Sequence, residues 1–248
     1  MSGVLMDAHC HLHEYGDDEV ESIMNLSMYI IAVSDNYNSS IRTVEISKRY
    51  RLVIPAVGLH PWNVGPDYKS EIAGVERLLS ENDMVRILGE VGLDRKFRPH
   101  TTQYQDAVFR GFIEMARERG LALNIHAANA WIDVLNALYR NDIPLAILHW
   151  YTGPADLVKD IADRGYYITA NPALAVQQRY RDVVKVAPLD IMLVESDAPY
   201  NYRGFVFHPR EISATFRYIA ELKGMSFDEV RKSIMENSYK FLRTLRIL

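Results

Sequence analysis

Short apolar, β-branched runs recur along the chain, separated by longer segments of helical period. The candidate strands are Val4–His9, Met28–Ser34, Leu52–Gly58, Val85–Val91, Leu121–His126, Leu145–His149, Tyr166–Thr169 and Ile191–Ser196. Runs such as IIAV, AILH and IMLV show no polar alternation, as expected of strands covered on both faces in a parallel sheet. Among the helical segments Gln105–Arg119 is the clearest. Val108, Phe112 and Met115 fall on one stripe, Phe109, Ile113 and Ala116 widen it, and Gly120 stands where the helix should stop. Near the end, Ser226-Phe-Asp-Glu229 has the form of a capping box that opens a last helix, and Lys223-Gly224 closes the one before it. Strands alternating with helix-sized segments predict repeated βα units. The expectation is an α/β fold, a (β/α)₈ TIM barrel forming a single domain over residues 1–248, with a doubly wound open sheet as the alternative. No Pro/Gly/Ser-rich linker breaks the pattern.

Composition changes this picture little. The 248 residues are 48% hydrophobic and 24% charged, ordinary values for a chain that builds a core. No run approaches the roughly eighteen apolar residues of a membrane span. The opening MSGVLMDAHCHLHEYGDD lacks a basic segment followed by an apolar one, so no secretory leader is expected. A single cysteine, Cys10, excludes an intrachain disulfide and fits a cytoplasmic setting. The net charge of −4 argues against coating nucleic acid by bulk charge, though not against a local basic groove.

The chemistry-bearing residues sit at telling positions. His9 and His11 follow the first strand, His60 the third, Glu90 ends the fourth, His126 the fifth, His149 the sixth, and Asp197 follows the eighth. A barrel gathers its strand ends on one face, where such enzymes carry their active sites. Five of the eight histidines lie at these ends, a clustering hard to ascribe to chance. Each has a bland reading alone: His9-x-His11 as incidental, Glu90 as an ion pair, His126 and His149 as core histidines, Asp197 as the cap of a turn before proline. Together, four imidazoles and two carboxylates suffice for two divalent ions sharing a carboxylate. The expected cofactors are Zn²⁺, Mn²⁺, Mg²⁺ or similar, the mixed N/O donors favouring the borderline ions. Phosphate-loop, dinucleotide and nucleophile-elbow motifs are missing from the sequence. Cys10, flanked by two such histidines, should point away from them.

The motifs DAHCHLH, GLHPW, GEVGLD, NIHAANA, LHWYTG and ESDAPY, in this order, resemble the TatD family of metal-dependent hydrolases, and ENSYKFL resembles its late Asn-bearing helix. The resemblance runs from residue 6 to about residue 242. It implies a TIM barrel of amidohydrolase type with phosphodiester-cleaving, nuclease-type activity. It also implies that His9, His11 and Asp197 serve one metal, His126 and His149 the other, and Glu90 bridges them, with His60 facing substrate. Three departures concern the substrate side: Ala128 where relatives commonly carry arginine, NYRGFVFHP after the eighth strand, and Trp150-Tyr151 for a smaller pair.

The expected function is therefore a metal-dependent phosphodiesterase or deoxyribonuclease of exonuclease type acting on DNA ends. Water activated by the ions attacks phosphorus while Asp197 takes its proton as general base, and Glu90 is the second catalytic carboxylate. Arg95 and Arg203 are candidate substrate contacts, as are Lys96, Arg98 and His100 in the loop after the fourth strand. Trp62, Trp150, Tyr151, Tyr200 and Tyr202 offer surfaces on which bases stack. The rival readings are a hydrolase of an ester or amide on the same scaffold and a metal-binding module without catalysis. Neither a membrane nor an obligate protein partner is expected.

Overall fold

Every one of the apolar runs forms a strand in the computed structural model, which describes residues 3–248. The strands are β1 Met6–Cys10, β2 Tyr29–Ala32, β3 Val53–Val57, β4 Ile87–Asp94, β5 Ala122–Ala128, β6 Ala146–Leu148, β7 Tyr167–Ala170 and β8 Met192–Val194. They form one parallel sheet in the order of the chain, with helices between successive strands, which is the (β/α)₈ barrel class. The helices are α1 Asp17–Met24, α2 Tyr37–Arg49, α3 Tyr68–Glu81, α4 Thr102–Arg119, α5 Trp131–Arg140, α6 Leu157–Asp163, α7 Gln178–Val186, α8 Ile212–Lys223 and α9 Phe227–Thr244. A small antiparallel hairpin, β9 Asn201–Tyr202 with β10 Phe205–Val206, follows β8. No helix among the described residues is long and apolar enough to cross a membrane.

The chain divides into two compact units, Met1–Ile31 with His149–Leu248, and Ala32–Leu148. In the first, β1 runs beside the segment after β8: the Asp197 amide donates to the His9 carbonyl (2.9 Å) and the His11 amide to that of Ala198 (2.8 Å). The capping box at α9 forms as expected, Ser226 accepting from the Glu229 amide while the Glu229 carboxylate accepts from the Ser226 amide. Asn237 on α9 donates to the carbonyls of Leu189 and Met192, both at 2.8 Å, and so fastens this helix to the start of β8. That bond explains the asparagine of ENSYKFL. α8 ends at Gly224, whose φ of 62° is the left-handed cap that glycine adopts without strain.

In the second unit, α4 buries Val108, Phe109, Phe112, Ile113 and Ala116. Here the structure corrects one expectation. Strand β4 does not end near Glu90 but continues to Asp94, and β5 continues past His126 to Ala128. A register shift between Leu88 and Val91 lets pairing resume, with Gly92 opposite His126 and Asp94 opposite Ala128. Gly92 has φ 145°, and a Cβ there would penetrate the carbonyl oxygen of His126. The glycine and the acid at the end of GEVGLD interrupt the apolar run, which is why the strand looks shorter in sequence. Glu90 thus stands inside the strand, 1% exposed.

Candidate metal centre

Alternate residues of an extended segment share a face, so His9 in β1 and His11 just past it converge, their Nε2 atoms 3.3 Å apart. Cys10 between them turns away, its thiol donating toward the Ala198 carbonyl at 3.5 Å. Burial pushes that thiol well above its ordinary range, which suits a structural rather than a nucleophilic cysteine. Beyond β8 the chain takes a left-handed turn at Asp197, φ 55°, a conformation aspartate tolerates better than bulkier residues. The turn brings Asp197 Oδ1 to 3.5 Å from His9 Nε2 and 3.6 Å from His11 Nε2. Donor atoms bound about 2.0–2.2 Å from one ion must lie roughly 3.0–3.5 Å from each other. The two imidazoles and the carboxylate match that spacing, so a divalent cation fits this donor set.

Two further groups shape this side. The His149 ring stacks on His9 with centroids 4.0 Å apart and planes inclined 15°. Glu195 is fully buried, and its Oε1 accepts from the Trp150 amide (3.0 Å) and Asn171 Nδ2 (3.0 Å) and lies 3.7 Å from His149 Nδ1. Its Oε2 has no hydrogen-bond partner among the described residues. Since a buried polar atom without a partner is costly, this oxygen is a second sign of a cation. Asp7 Oδ1 accepts from the amides of His9 (3.2 Å) and Ser196 (2.8 Å), tying β1 to the segment that carries Asp197. Burial pushes the Asp7 carboxyl up to about 7 against the pull of those bonds.

The second unit carries another set on β4 and β5. The His126 ring lies between two carboxylates, Nδ1 at 2.9 Å from Glu90 Oε1 and Nε2 at 3.0 Å from Asp94 Oδ2. An imidazole anchored through one nitrogen on a carboxylate is oriented as metal-binding histidines are. Asp94 also accepts from Trp62 Nε1 (2.5 Å) and from the amides of Lys96 (2.9 Å) and Phe97 (2.6 Å). Burial raises its pKa, but the bonds from His126, Phe97 and Trp62 outweigh that and hold Asp94 below the carboxylate range. His60 lies in the same cluster, with Nε2 3.1 Å from Glu90 Oε1. Its Nδ1 accepts the Trp62 amide at 3.0 Å, so its proton resides on Nε2 and is donated to Glu90. Burial lowers the His60 pKa against the pull of the neighbouring Glu90 carboxylate. In that tautomer His60 offers a proton at Glu90 rather than a lone pair to a metal.

The two arginines expected at the substrate lie in the loop after β4 and in the hairpin after β8. Arg95 pairs with Asp106 on α4 and donates to the Thr102 carbonyl at 3.4 Å. Arg203 occupies the turn of the β9–β10 hairpin, its guanidinium 5.4 Å above the Tyr202 ring. Glu195 and Asp94 were not foreseen. Each lies within a quoted motif, ESDAPY and GEVGLD, and the available signal was a carboxylate directly continuing an apolar strand.

Comparison with known proteins identifies the family. The sequence profile of the family described as TatD related DNase matches residues 6–243. The chain belongs to the TatD family of metal-dependent hydrolases. It is 27% identical to the metal-dependent hydrolase YabD of Bacillus subtilis over 254 residues, covering 97% of this chain and 99% of that one. It is also 27% identical to the human deoxyribonuclease TATDN3, covering 98% and 96% of the two chains. Among solved structures, the TatD homolog YJJV from Escherichia coli superposes with a TM-score of 0.84 at 21% identity, covering 96% of this chain and 97% of that one. This TatD-family chain therefore shares the (β/α)₈ fold of its relatives along nearly its whole length.

Proposed function

We propose that this TatD-family protein is a single-domain, divalent-metal-dependent phosphodiesterase that trims DNA ends, as a deoxyribonuclease of exonuclease type. The observation that carries the reading is the convergence of His9 Nε2, His11 Nε2 and Asp197 Oδ1 at the spacing one ion requires. These three would hold one ion, Glu90 and His126 would supply donors for a second, and His149 adds an imidazole beside His9. A divalent ion held by such donors would contribute Lewis-acid charge at phosphorus and make water acidic near neutral pH. The remaining work belongs to the protein. Asp197 accepts the proton of the attacking water through its second oxygen. His60, holding its proton on Nε2 at Glu90, fixes the orientation of that carboxylate. Asp94, at 3.0 Å from His126 Nε2, orients that ring. Arg203, on its exposed hairpin, and Arg95, on exchanging Asp106 for an anion, are the candidate phosphate contacts. The name of the human relative supports DNA as substrate, and the buried, unpaired Cys10 is in keeping with a cytoplasmic enzyme.

The test is a substrate panel with metal-loaded protein: single- and double-stranded DNA, RNA, a chromogenic phosphodiester and an aminoacyl ester. Turnover of DNA and the phosphodiester, abolished by chelator, is the expected result. Turnover of the aminoacyl ester alone would move the assignment to carbon centres, and no turnover of any substrate would leave a metal-binding module.

A further inference from the structure

The loop after β4 is fastened more firmly than an incidental surface loop needs to be. Asp94 Oδ1 holds the amides of Lys96 and Phe97, and buried Gln105 holds the rest. Gln105 Oε1 accepts from the Asp94 amide (2.8 Å), and its Nε2 donates to the Arg98 carbonyl (2.9 Å) and to Thr101 Oγ1 (2.9 Å). What this rigid loop presents is unusual. Phe97 is 56% exposed although it stands between two cations. Its ring meets Trp62 edge-to-face, centroids 6.0 Å apart at 73°. The Arg98 guanidinium lies 5.5 Å from the Trp62 ring centroid, and the Lys96 ammonium 4.7 Å from that of Phe97. Trp62 in turn bonds the Asp94 carboxylate that orients His126, and its ring lies 6.4 Å from the His126 ring.

We infer that the corner formed by Trp62 and Phe97, with Lys96 and Arg98 beside it, is a subsite for one unpaired base of a single-stranded nucleic acid and its phosphate. The inference rests on the phosphodiesterase reading and names how that site holds its substrate. An aromatic corner accepts any base through its π-face, and such stacking is tolerant of sequence. The two cations complement a phosphate, whereas an apolar protein segment would gain nothing from them. A paired base cannot enter, because its faces are already stacked within the duplex. Since Trp62 and His126 share Asp94, the base bound here belongs to a nucleotide next to the reacting phosphate. The pinned loop presents the corner already formed, so little ordering is needed on binding.

The test is fluorescence-anisotropy binding to the metal-loaded protein. The probes are a short single-stranded oligonucleotide with phosphorothioate linkages, which resist hydrolysis, and the same strand made abasic. The wild type should bind the abasic strand about tenfold more weakly. Phe97→Ala should lose a similar factor with the base-bearing strand and little with the abasic one. Arg98→Ala should weaken both strands and lower the salt dependence by about one charge. Equal binding of the two strands, or unchanged binding by Phe97→Ala, would overturn the subsite and leave the phosphodiesterase reading standing. Failure of the wild type to turn over the chromogenic phosphodiester would remove that reading, whatever the anisotropy shows.

Discussion

Replacing Gly92 by alanine tests how the backbone builds the candidate site. Gly92 pairs with His126 across β4 and β5, and its φ of 145° lies where side chains other than glycine's rarely go. An added Cβ would overlap the His126 carbonyl oxygen and lie 2.9 Å from its carbonyl carbon. No flexible side chain stands in the way, so relief needs a backbone shift on the order of 1 Å in a close-packed sheet. The strained dihedral costs about 1–3 kcal/mol and the overpacking a similar amount. The expected loss is therefore about 4 kcal/mol, a large part of the roughly 5–15 kcal/mol that holds a domain together. Any shift also moves His126 off Glu90, so metal retention should fall along with stability. Urea unfolding followed by circular dichroism, with elemental analysis of the folded variant, measures both. An alanine variant within about 1 kcal/mol of wild type that keeps its metal would refute the reasoning.

Other expectations follow from the same geometry. Asp197→Asn keeps a ligand oxygen but cannot take the proton, so kcat should drop at least about a hundredfold with metal content reduced far less; a near wild-type rate with metal bound would show that Asp197 is no base. Gln105→Leu orphans the buried Asp94 amide and frees the loop after β4, so chemical denaturation should show a loss of about 3 kcal/mol. Ser226→Ala breaks the capping box of α9 at a cost of about 1 kcal/mol, which calorimetry should record as a fall in Tm of roughly 2–4 °C.

How much of this was legible in the sequence depended on the kind of signal. Apolar runs locate strands because burial on both faces of a parallel sheet demands them, so all eight strands were visible, as was α4 with its Gly120 stop. The strand ends were visible only where apolarity ends with the strand. At β4 it does not, because Gly92 and Asp94 are demanded by a close backbone approach and a hydrogen-bond hub, neither of which has a periodicity. Among the site residues, His9 and His11 could be read from their two-residue spacing. Glu195 and Asp94 act through partners such as Trp150 and Trp62, which neither strand pattern predicts. The β9–β10 hairpin also escaped notice, although Arg203-Gly204, both at positive φ, is a two-residue turn signal between short extended pairs. The tautomer of His60 was beyond reach, since a backbone amide three-dimensionally placed on Nδ1 decides it.

Two donor sets in this chain are each expected to hold a divalent ion. Equilibrium dialysis against Zn²⁺ or Mn²⁺, followed by elemental analysis of wild type, His11→Ala and His126→Ala, tests this most directly. The expected result is about two ions per wild-type chain and about one in each variant, with far-UV circular dichroism unchanged. Wild-type protein that retains no metal, or variants that retain as much as wild type, would contradict it.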